Sequence, residues 1–307
     1  MRVAFAAQGR AAYLPAMTYL PFEAGPYRPQ MGLMALKPAD WIEIDDDLAA
    51  ILAAKRRLLA ERHDEVFAAL PGTEEAGAEV LALLAEHLPR RFPTQYPRMG
   101  TTIAVAATGE LIGLGSPGVH PLETAARLVP EDLCLMRRTD DGYILAAASL
   151  CFPSRWRLAD KIGRTMAQIH GPVPRFAETL ERPVDRFFDK LAPERPVWRL
   201  NWTIHDTPEL FQPLPPPPRS IDPAAFAHGL FVRVERQTLR RLPQSGDILF
   251  TIRTHIRPLG QIAADAEAAR RLAAAVAALP PDIRAYRSMQ LYADALADWL
   301  SAQAEAD

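Results

Sequence analysis

The stretch that decides the fold class is residues 230–259, which read LFVRVERQTLRRLPQSGDILFTIRTHIRPL. Apolar and polar side chains alternate along both halves, and many are β-branched, as is typical of strands with two different faces. The middle, Leu242 to Asp247, contains Pro, Ser and Gly, which favour a turn. The segment therefore predicts a two-stranded antiparallel ribbon, with strands from Leu230 to Arg241 and from Ile248 to Leu259.

Two shorter hairpins are predicted before this ribbon. One has strands 102–106 and 110–114 with Gly109 at its turn, and the other has strands 133–137 and 143–150 with Gly142 at its turn. These hairpins and the ribbon together imply an antiparallel sheet.

Helical spacing of apolar residues surrounds the predicted strands. Because helices and strands do not alternate regularly, the order favours an α+β fold over a doubly wound one. We expect a single domain over residues 1–307, with a mainly helical part (1–100), a sheet core (101–259) and C-terminal helices (260–307). The predicted helices cover residues 42–62, 74–88, 156–170, 262–279 and 283–302.

Composition excludes several functional classes. The chain has 307 residues, 49% of them hydrophobic, and a formal net charge of -2 with no basic stripe, so nucleic acid is not an expected partner. No apolar run approaches the ~20 residues that a membrane span needs, and we expect a cytoplasmic protein with no membrane partner. Its two cysteines, Cys134 and Cys151, are not spaced for a zinc site or a disulfide framework. Nucleotide-binding glycine motifs and common hydrolase motifs are also missing.

A histidine at the end of the predicted helix 156–170 is the first candidate for chemistry. His170 is followed by Gly171 and two prolines, which fix the helix end. Small residues at Ala159, Gly163 and Ala167 would leave a flat surface on which a planar macrocycle could approach the imidazole. Alternatively, His170 only caps the helix C-terminus, and Gly163 only permits close packing.

The ribbon supplies the second candidate. Arg233, Glu235 and Gln237 share a face of the first strand, and Arg253 and His255 share a face of the second. If the turn closes near Ser245, Glu235 and Arg253 come opposite each other and form one polar wall. A solvated sheet face is the alternative explanation.

A third candidate group follows the segment Trp198 to Leu200. Asn201 and Trp202 could line a cofactor cavity, although a buried tryptophan is commonly a core residue. A two-histidine metal site formed by His205 and His255 is a further alternative.

A series of short motifs follows one another along the chain. The motifs are Met31 to Leu36, Trp41 to Asp45, Glu131 to Leu133, Phe152 to Trp156, Lys161 to Gly163, Ile169 to Pro174, Arg199 to Trp202, Val234 to Pro243 and Phe250 to Arg253. In this order they resemble the haem-dependent oxidative N-demethylase family. The resemblance implies a PAS-like antiparallel sheet, elaborated with N-terminal and C-terminal helices, that holds haem b through a protein axial ligand.

Carried over by position, the resemblance implies His170 as the axial ligand of the haem iron. Residue chemistry then suggests Glu235 or His255 for proton delivery or binding of an ammonium group. The expected cofactor-binding residues are His170, Lys161, Gly163, Asn201, Trp202, Arg233 and Arg253.

The same resemblance implies an activity and its partners. The activity is oxidation of a small secondary methylamine with O2, releasing formaldehyde, with electrons from a separate flavin and iron–sulfur reductase subunit. A haem-binding sensor or storage protein, or a haem-free protein that binds a small ligand in the same cavity, are the alternatives. His205 and His255 remain alternative iron ligands.

Overall fold

The computed structural model describes residues 19–305 and contains two antiparallel sheets. The larger has seven strands in the order β1-β8-β9-β10-β6-β7-β2, and the smaller has the order β3-β4-β5. The strands are β1 (Met34–Ala35), β2 (Phe67–Ala69), β3 (Arg98–Met99), β4 (Thr102–Val105), β5 (Glu110–Gly113), β6 (Asp132–Thr139), β7 (Gly142–Ser149), β8 (Val197–His205), β9 (Phe231–Arg241) and β10 (Ile248–Pro258).

All three predicted hairpins are confirmed. β9 pairs with β10 along its whole length, β6 pairs with β7, and β4 pairs with β5. Glycines at the turns of the two shorter hairpins have left-handed backbones, with φ of 69° at Gly109 and 112° at Gly142, which explains why glycine is suited to both positions. The α+β class is confirmed.

The helices agree with the sequence less closely than the strands do. The first predicted helix starts later than expected, at Leu48. Residues 42–47 form an irregular segment that ends in a turn, and carboxylates of this segment bind β10. The helix predicted over 283–302 is interrupted between Tyr286 and Ala293. The helices are α1 (Leu48–Glu61), α2 (His63–Val66), α3 (Glu74–Arg91), α4 (Pro121–Ala126), α5 (Met166–His170), α6 (Phe176–Thr179), α7 (Glu181–Lys190), α8 (Phe226–Gly229), α9 (Leu259–Ala263), α10 (Ala266–Ala277), α11 (Pro281–Tyr286) and α12 (Ala293–Glu305).

The continuous helix predicted over residues 156–170 is wrong. A single 3-10 turn at Leu158–Asp160 is followed by a turn in which Gly163 has φ of 73°. Only then does α5 begin, with Thr165 as its N-cap in a capping box with Gln168. A left-handed residue cannot continue an α-helix, so Ala159 and Gly163 do not form a helical stripe leading to His170.

The apolar residues of this segment nevertheless pack together. Leu158, Ile162, Met166 and Ile169 all join one cluster on the seven-stranded sheet, together with Phe188 of α7. The expected apolar face is therefore present, although it is built from two turns and a short helix.

The seven-stranded sheet is covered on both sides. On one side, segment 156–169 and α7 pack on apolar residues of β6, β9 and β10. On the other side, α3 and the segment around Trp41 pack on the β6 end, while α9, α10 and α12 pack on the β8 and β9 end. Two strands from the part expected to be mainly helical, β1 and β2, form the edges of this sheet. Among residues 19–305, no helix has the length and apolar character needed to span a membrane.

Candidate functional site

The polar groups of the ribbon lie on opposite faces of the sheet. Glu235 pairs with Thr254, and Arg253 pairs with Arg236. The loop from Leu242 to Asp247 contains an even number of residues, so odd-numbered residues of β9 share a face with even-numbered residues of β10. The single polar wall expected from Glu235, Arg253 and His255 is therefore wrong.

We name the two faces after the residues that distinguish them. The Glu235 face carries Arg199, Asn201 and His205 of β8 with Arg233, Glu235 and Gln237 of β9. The Arg253 face carries Trp198 and Trp202 of β8, Arg236 of β9, and Arg253, His255 and Arg257 of β10.

On the Arg253 face, the β10 side chains bind acidic residues that precede α1. Arg253 lies 2.6 Å from Asp45, and Arg257 lies 3.1 Å from Asp47. His255 Nε2 lies 3.1 Å from a carboxylate oxygen of Glu43. These pairs fix the N-terminal segment to the sheet, which is a structural task. A metal site shared by His205 and His255 is wrong, because the two histidines lie on opposite faces.

A buried ion pair forms the centre of the Glu235 face. Arg233 is fully buried, and its Nε lies 3.2 Å from Glu235 Oε1. Its Nη2 donates to the carbonyl of Phe152 at 2.6 Å and to Thr254 Oγ1 at 3.2 Å, and its Nη1 donates to the carbonyl of Leu210 at 3.2 Å. The other oxygen of Glu235 accepts from Gln237 at 3.0 Å. Arg233 thus holds the Glu235 carboxylate in one orientation.

His170 lies on the same side of the sheet as Glu235. Its neighbour Ile169 packs in the cluster that contains Ile252, which is on this face. The imidazole Nδ1 lies 3.0 Å from the carbonyl of Met166, and the ring stacks on Phe176 with centroids 4.4 Å apart. Burial lowers the pKa of His170, and the positive charges of Lys161 and Arg199 lower it further.

The electronic state of His170 follows from these contacts. A carbonyl can only accept, so Nδ1 carries the proton and the neutral ring keeps its lone pair on Nε2. Among residues 19–305, no hydrogen-bond partner is found for Nε2. Metal-binding histidines commonly have this arrangement, in which one nitrogen is fixed by a carbonyl and the other is free.

Lys161 and Gly163 have different surroundings from those expected. Lys161 Nζ donates to the carbonyl of Ile169, and this bond stabilises the end of α5 beside His170. Gly163 is exposed, and its N–H donates to the carbonyl of Leu145 at 2.8 Å. Its task in the structure is to make the turn.

The three candidate residues of β8 do not all lie on the same face of the sheet. Asn201 faces Glu235, with its Nδ2 at 3.5 Å from Oε2, whereas Trp202 points to the Arg253 face and contacts Phe22 edge to face. His205 is on the Glu235 face but is enclosed. Burial, with the positive charges of Arg155 and Arg233, lowers its pKa to about 2.

Two arginines that are not among the sequence-predicted site residues lie on or against β8, which forms an edge of the sheet beyond its two-residue pairing with β1. Arg199 precedes Asn201 by two residues on β8, and its Nε is buried without a hydrogen-bond partner. Arg287 lies 4.9 Å above the ring of Trp202, and its Nη1 is also buried without a partner. Arg199 belongs to a quoted motif and could have been chosen, but Arg287 falls where a continuous helix was expected.

The assembled site combines three kinds of group. It offers a neutral imidazole with a free nitrogen, two guanidinium groups that have no acidic partner among residues 19–305, and an oriented carboxylate. The chemistry of such a set suits a ligand that contains a metal and anionic substituents, and the carboxylate suits a cationic group. Within the described residues, no cluster of three or more His, Cys, Asp or Glu residues could hold a bare metal ion.

Comparison with known protein families identifies a matching family. The sequence model of the family described as haem-dependent oxidative N-demethylase, alpha subunit-like, matches residues 32–297. The matched region includes every strand of both sheets and His170, Arg199, Glu235 and Arg287. An alpha subunit implies that other subunits exist.

Proposed function

The chain belongs to the haem-dependent oxidative N-demethylase, alpha subunit-like family, and we propose that it binds haem b on the Glu235 face and there oxidises a small secondary methylamine with O2. Membership suggests a haem-dependent oxidoreductase; the haem type and the substrate are our proposals. These proposals rest on the state of His170, a neutral imidazole whose Nδ1 donates to the carbonyl of Met166 and whose Nε2 is free. We further propose that the sheet works as PAS-like sheets do, with the cofactor on one face.

The residues of this face fit a haem. His170 Nε2 would be the axial ligand, since the ring is fixed by Met166 and by stacking on Phe176. Lys161 would act indirectly, through its bond to the Ile169 carbonyl, by keeping the end of α5 in place. Arg253 and His255 are left out of this site, because acidic residues on the opposite face already bind them.

Glu235 would bind the amine. Haem, when bound, supplies the activation of oxygen. A secondary amine is cationic at neutral pH, and the buried carboxylate of Glu235 would attract it and orient its methyl group. Arg233 would keep that carboxylate fixed, while Asn201 and Gln237 would limit its rotation. The products would be formaldehyde and the demethylated amine.

We propose that electrons come from a separate flavin and iron–sulfur subunit. An iron–sulfur cluster is usually held by four cysteines, and this chain contains two, Cys134 and Cys151, both buried. The alpha-subunit description of the family supports a partner of this kind.

Haem binding is tested by absorbance titration of the purified protein with haemin. The wild type is expected to develop a Soret band, and His170→Ala is expected to lose or shift it. His228→Ala is a matched control, because His228 also lies in the last turn of a short helix but is exposed. A wild type that takes up no haemin refutes the proposal, and a His170→Ala spectrum identical to wild type refutes the ligand assignment.

Activity is tested separately with dimethylamine, O2 and a chemical reductant. Formaldehyde release by the haem-loaded protein is expected, with a strong decrease in Glu235→Gln. If a haem-loaded protein releases no formaldehyde from any methylated amine tested, the chain is a haem-binding protein without this activity.

A further inference from the structure

Arg199 and Arg287 are half-buried and differ from the paired arginines of the sheet region. Arg233, Arg253 and Arg155 each lie within 3.2 Å of a carboxylate. For Arg199 and Arg287, no carboxylate among residues 19–305 lies within salt-bridge distance, and each has a buried guanidinium nitrogen with no hydrogen-bond partner.

Such an arrangement is costly in the absence of an anion. A buried charged group that lacks a partner loses its hydration without compensation. Burial accordingly lowers the pKa of both Arg199 and Arg287. Glu235 is the acidic side chain whose charge acts on Arg199, but the two do not form a salt bridge.

Arg199 is on the Glu235 face of β8, and Arg287 lies over Trp202 at the free edge of the same strand. The positive charge of Arg199 lowers the pKa of His170. The segment that carries Arg287 reaches the Glu235 face, because Arg155, which binds the Arg287 carbonyl, follows Ser154, and Ser154 Oγ lies 3.4 Å from His205 Nε2. The Arg287 carbonyl accepts from Arg155 Nη1 at 3.1 Å, and Arg155 also binds Asp206 at 3.0 Å. Arg155 has a left-handed backbone with φ of 64°, an unfavourable conformation that the surrounding contacts must maintain.

We propose that Arg199 and Arg287 bind the two propionate carboxylates of the haem. This inference rests on the proposed function and names the anion that these guanidinium groups lack. Haem b has one carboxylate on each of two neighbouring pyrrole rings, and a guanidinium can donate two parallel hydrogen bonds to each. Stacking over Trp202 leaves the edge of the Arg287 guanidinium available for such bonds.

The test compares haemin with its uncharged dimethyl ester as ligands of the apoprotein. Wild type is expected to bind haemin at least about tenfold more tightly than the ester, and Arg199→Gln and Arg287→Gln should each weaken haemin binding about 10-fold to 100-fold. Neither substitution should alter binding of the ester. Arg240→Gln is the matched control: Arg240 also has a buried nitrogen without a partner and lies over a tryptophan, but that residue is Trp41, which belongs to a different core cluster from Trp202.

Equal affinity of wild type for haemin and its ester overturns the inference even if a substituted protein does not fold. Unchanged haemin affinity in both glutamine variants also overturns it, while the Soret band and its dependence on His170 would leave the proposed function intact. Wild type that binds neither ligand overturns both. Arg199→Lys, which keeps the charge, should recover part of the lost affinity.

Discussion

The buried pair of Arg233 and Glu235 permits a quantitative prediction. Arg233 is 0% exposed and Glu235 is 8% exposed, so solvent screens neither charge effectively. Arg233→Met removes the guanidinium and leaves the carboxylate buried without a counter-charge, together with the carbonyl of Phe152. We expect this substitution to lower the free energy of unfolding by about 3–5 kcal/mol.

A double-mutant cycle isolates the contribution of charge. Glu235→Gln keeps the shape and one acceptor, and should cost about 1–2 kcal/mol. In that background, Arg233→Met no longer leaves a buried charge, and its cost should fall by about 2 kcal/mol. Urea denaturation followed by circular dichroism measures all four proteins. Equal costs of Arg233→Met in the two backgrounds would refute the reasoning.

A control pair lies on the opposite face of the same sheet. Arg257 is 3.1 Å from Asp47, whose side chain is 35% exposed. Solvent screens this pair, so Arg257→Met should cost about 1 kcal/mol or less.

Three further predictions concern residues outside the proposed site. Burial lowers the pKa of His87 to about 4, so the free energy of unfolding should fall as pH decreases from about 6.5 to 4. In urea denaturation at several pH values, His87→Phe should remove up to about 3 kcal/mol of this pH dependence. The same pH dependence in the variant and the wild type would contradict the prediction. Burial raises the pKa of Glu131 to about 7, so the carboxyl group loses its proton at lower pH in the unfolded state than in the folded state. The free energy of unfolding should therefore fall as pH rises from about 4.5 to 7, and Glu131→Gln should gain up to about 3 kcal/mol relative to wild type across that range. A difference in stability between variant and wild type that does not change with pH would count against the prediction. Gly163→Ala should lower the free energy of unfolding by about 1 kcal/mol through its left-handed backbone and leave haemin affinity unchanged, whereas weaker haemin binding would restore a role for Gly163 in the site.

The strands could be predicted from the sequence because alternation reports directly on which residues share a face. Arg233, Glu235 and Gln237 are on one face, as expected. The pairing register of β9 and β10 could not be predicted in this way, because it depends on how the loop between them closes. An error of one residue in the register moves every side chain of one strand to the other face. The sequence alone therefore predicts Glu235 and Arg253 on one face, and the observed register separates them.

The helical segments show a different limit. Leu158, Ile162, Met166 and Ile169 have helical spacing and do pack together, but the same contacts are made by a turn at Gly163 followed by a short helix. The spacing of apolar residues does not distinguish a continuous helix from a turn followed by a short helix. Arg287 could not be selected at all, because its significance comes from the absence of an anionic partner in the three-dimensional structure.

The two chemically different faces of β9 also affect how securely the sheet can pair. A shift of β9 by one residue would move Glu235 toward the acidic side chains Asp45 and Asp47, and Arg236 away from the carbonyl of Trp41 that it binds at 3.1 Å. Misaligned pairings of this hairpin would therefore contain buried like charges as well as lost hydrogen bonds. Because only a shift by an even number of residues preserves the faces, the loop from Leu242 to Asp247 should tolerate changes in length of two residues better than changes of one.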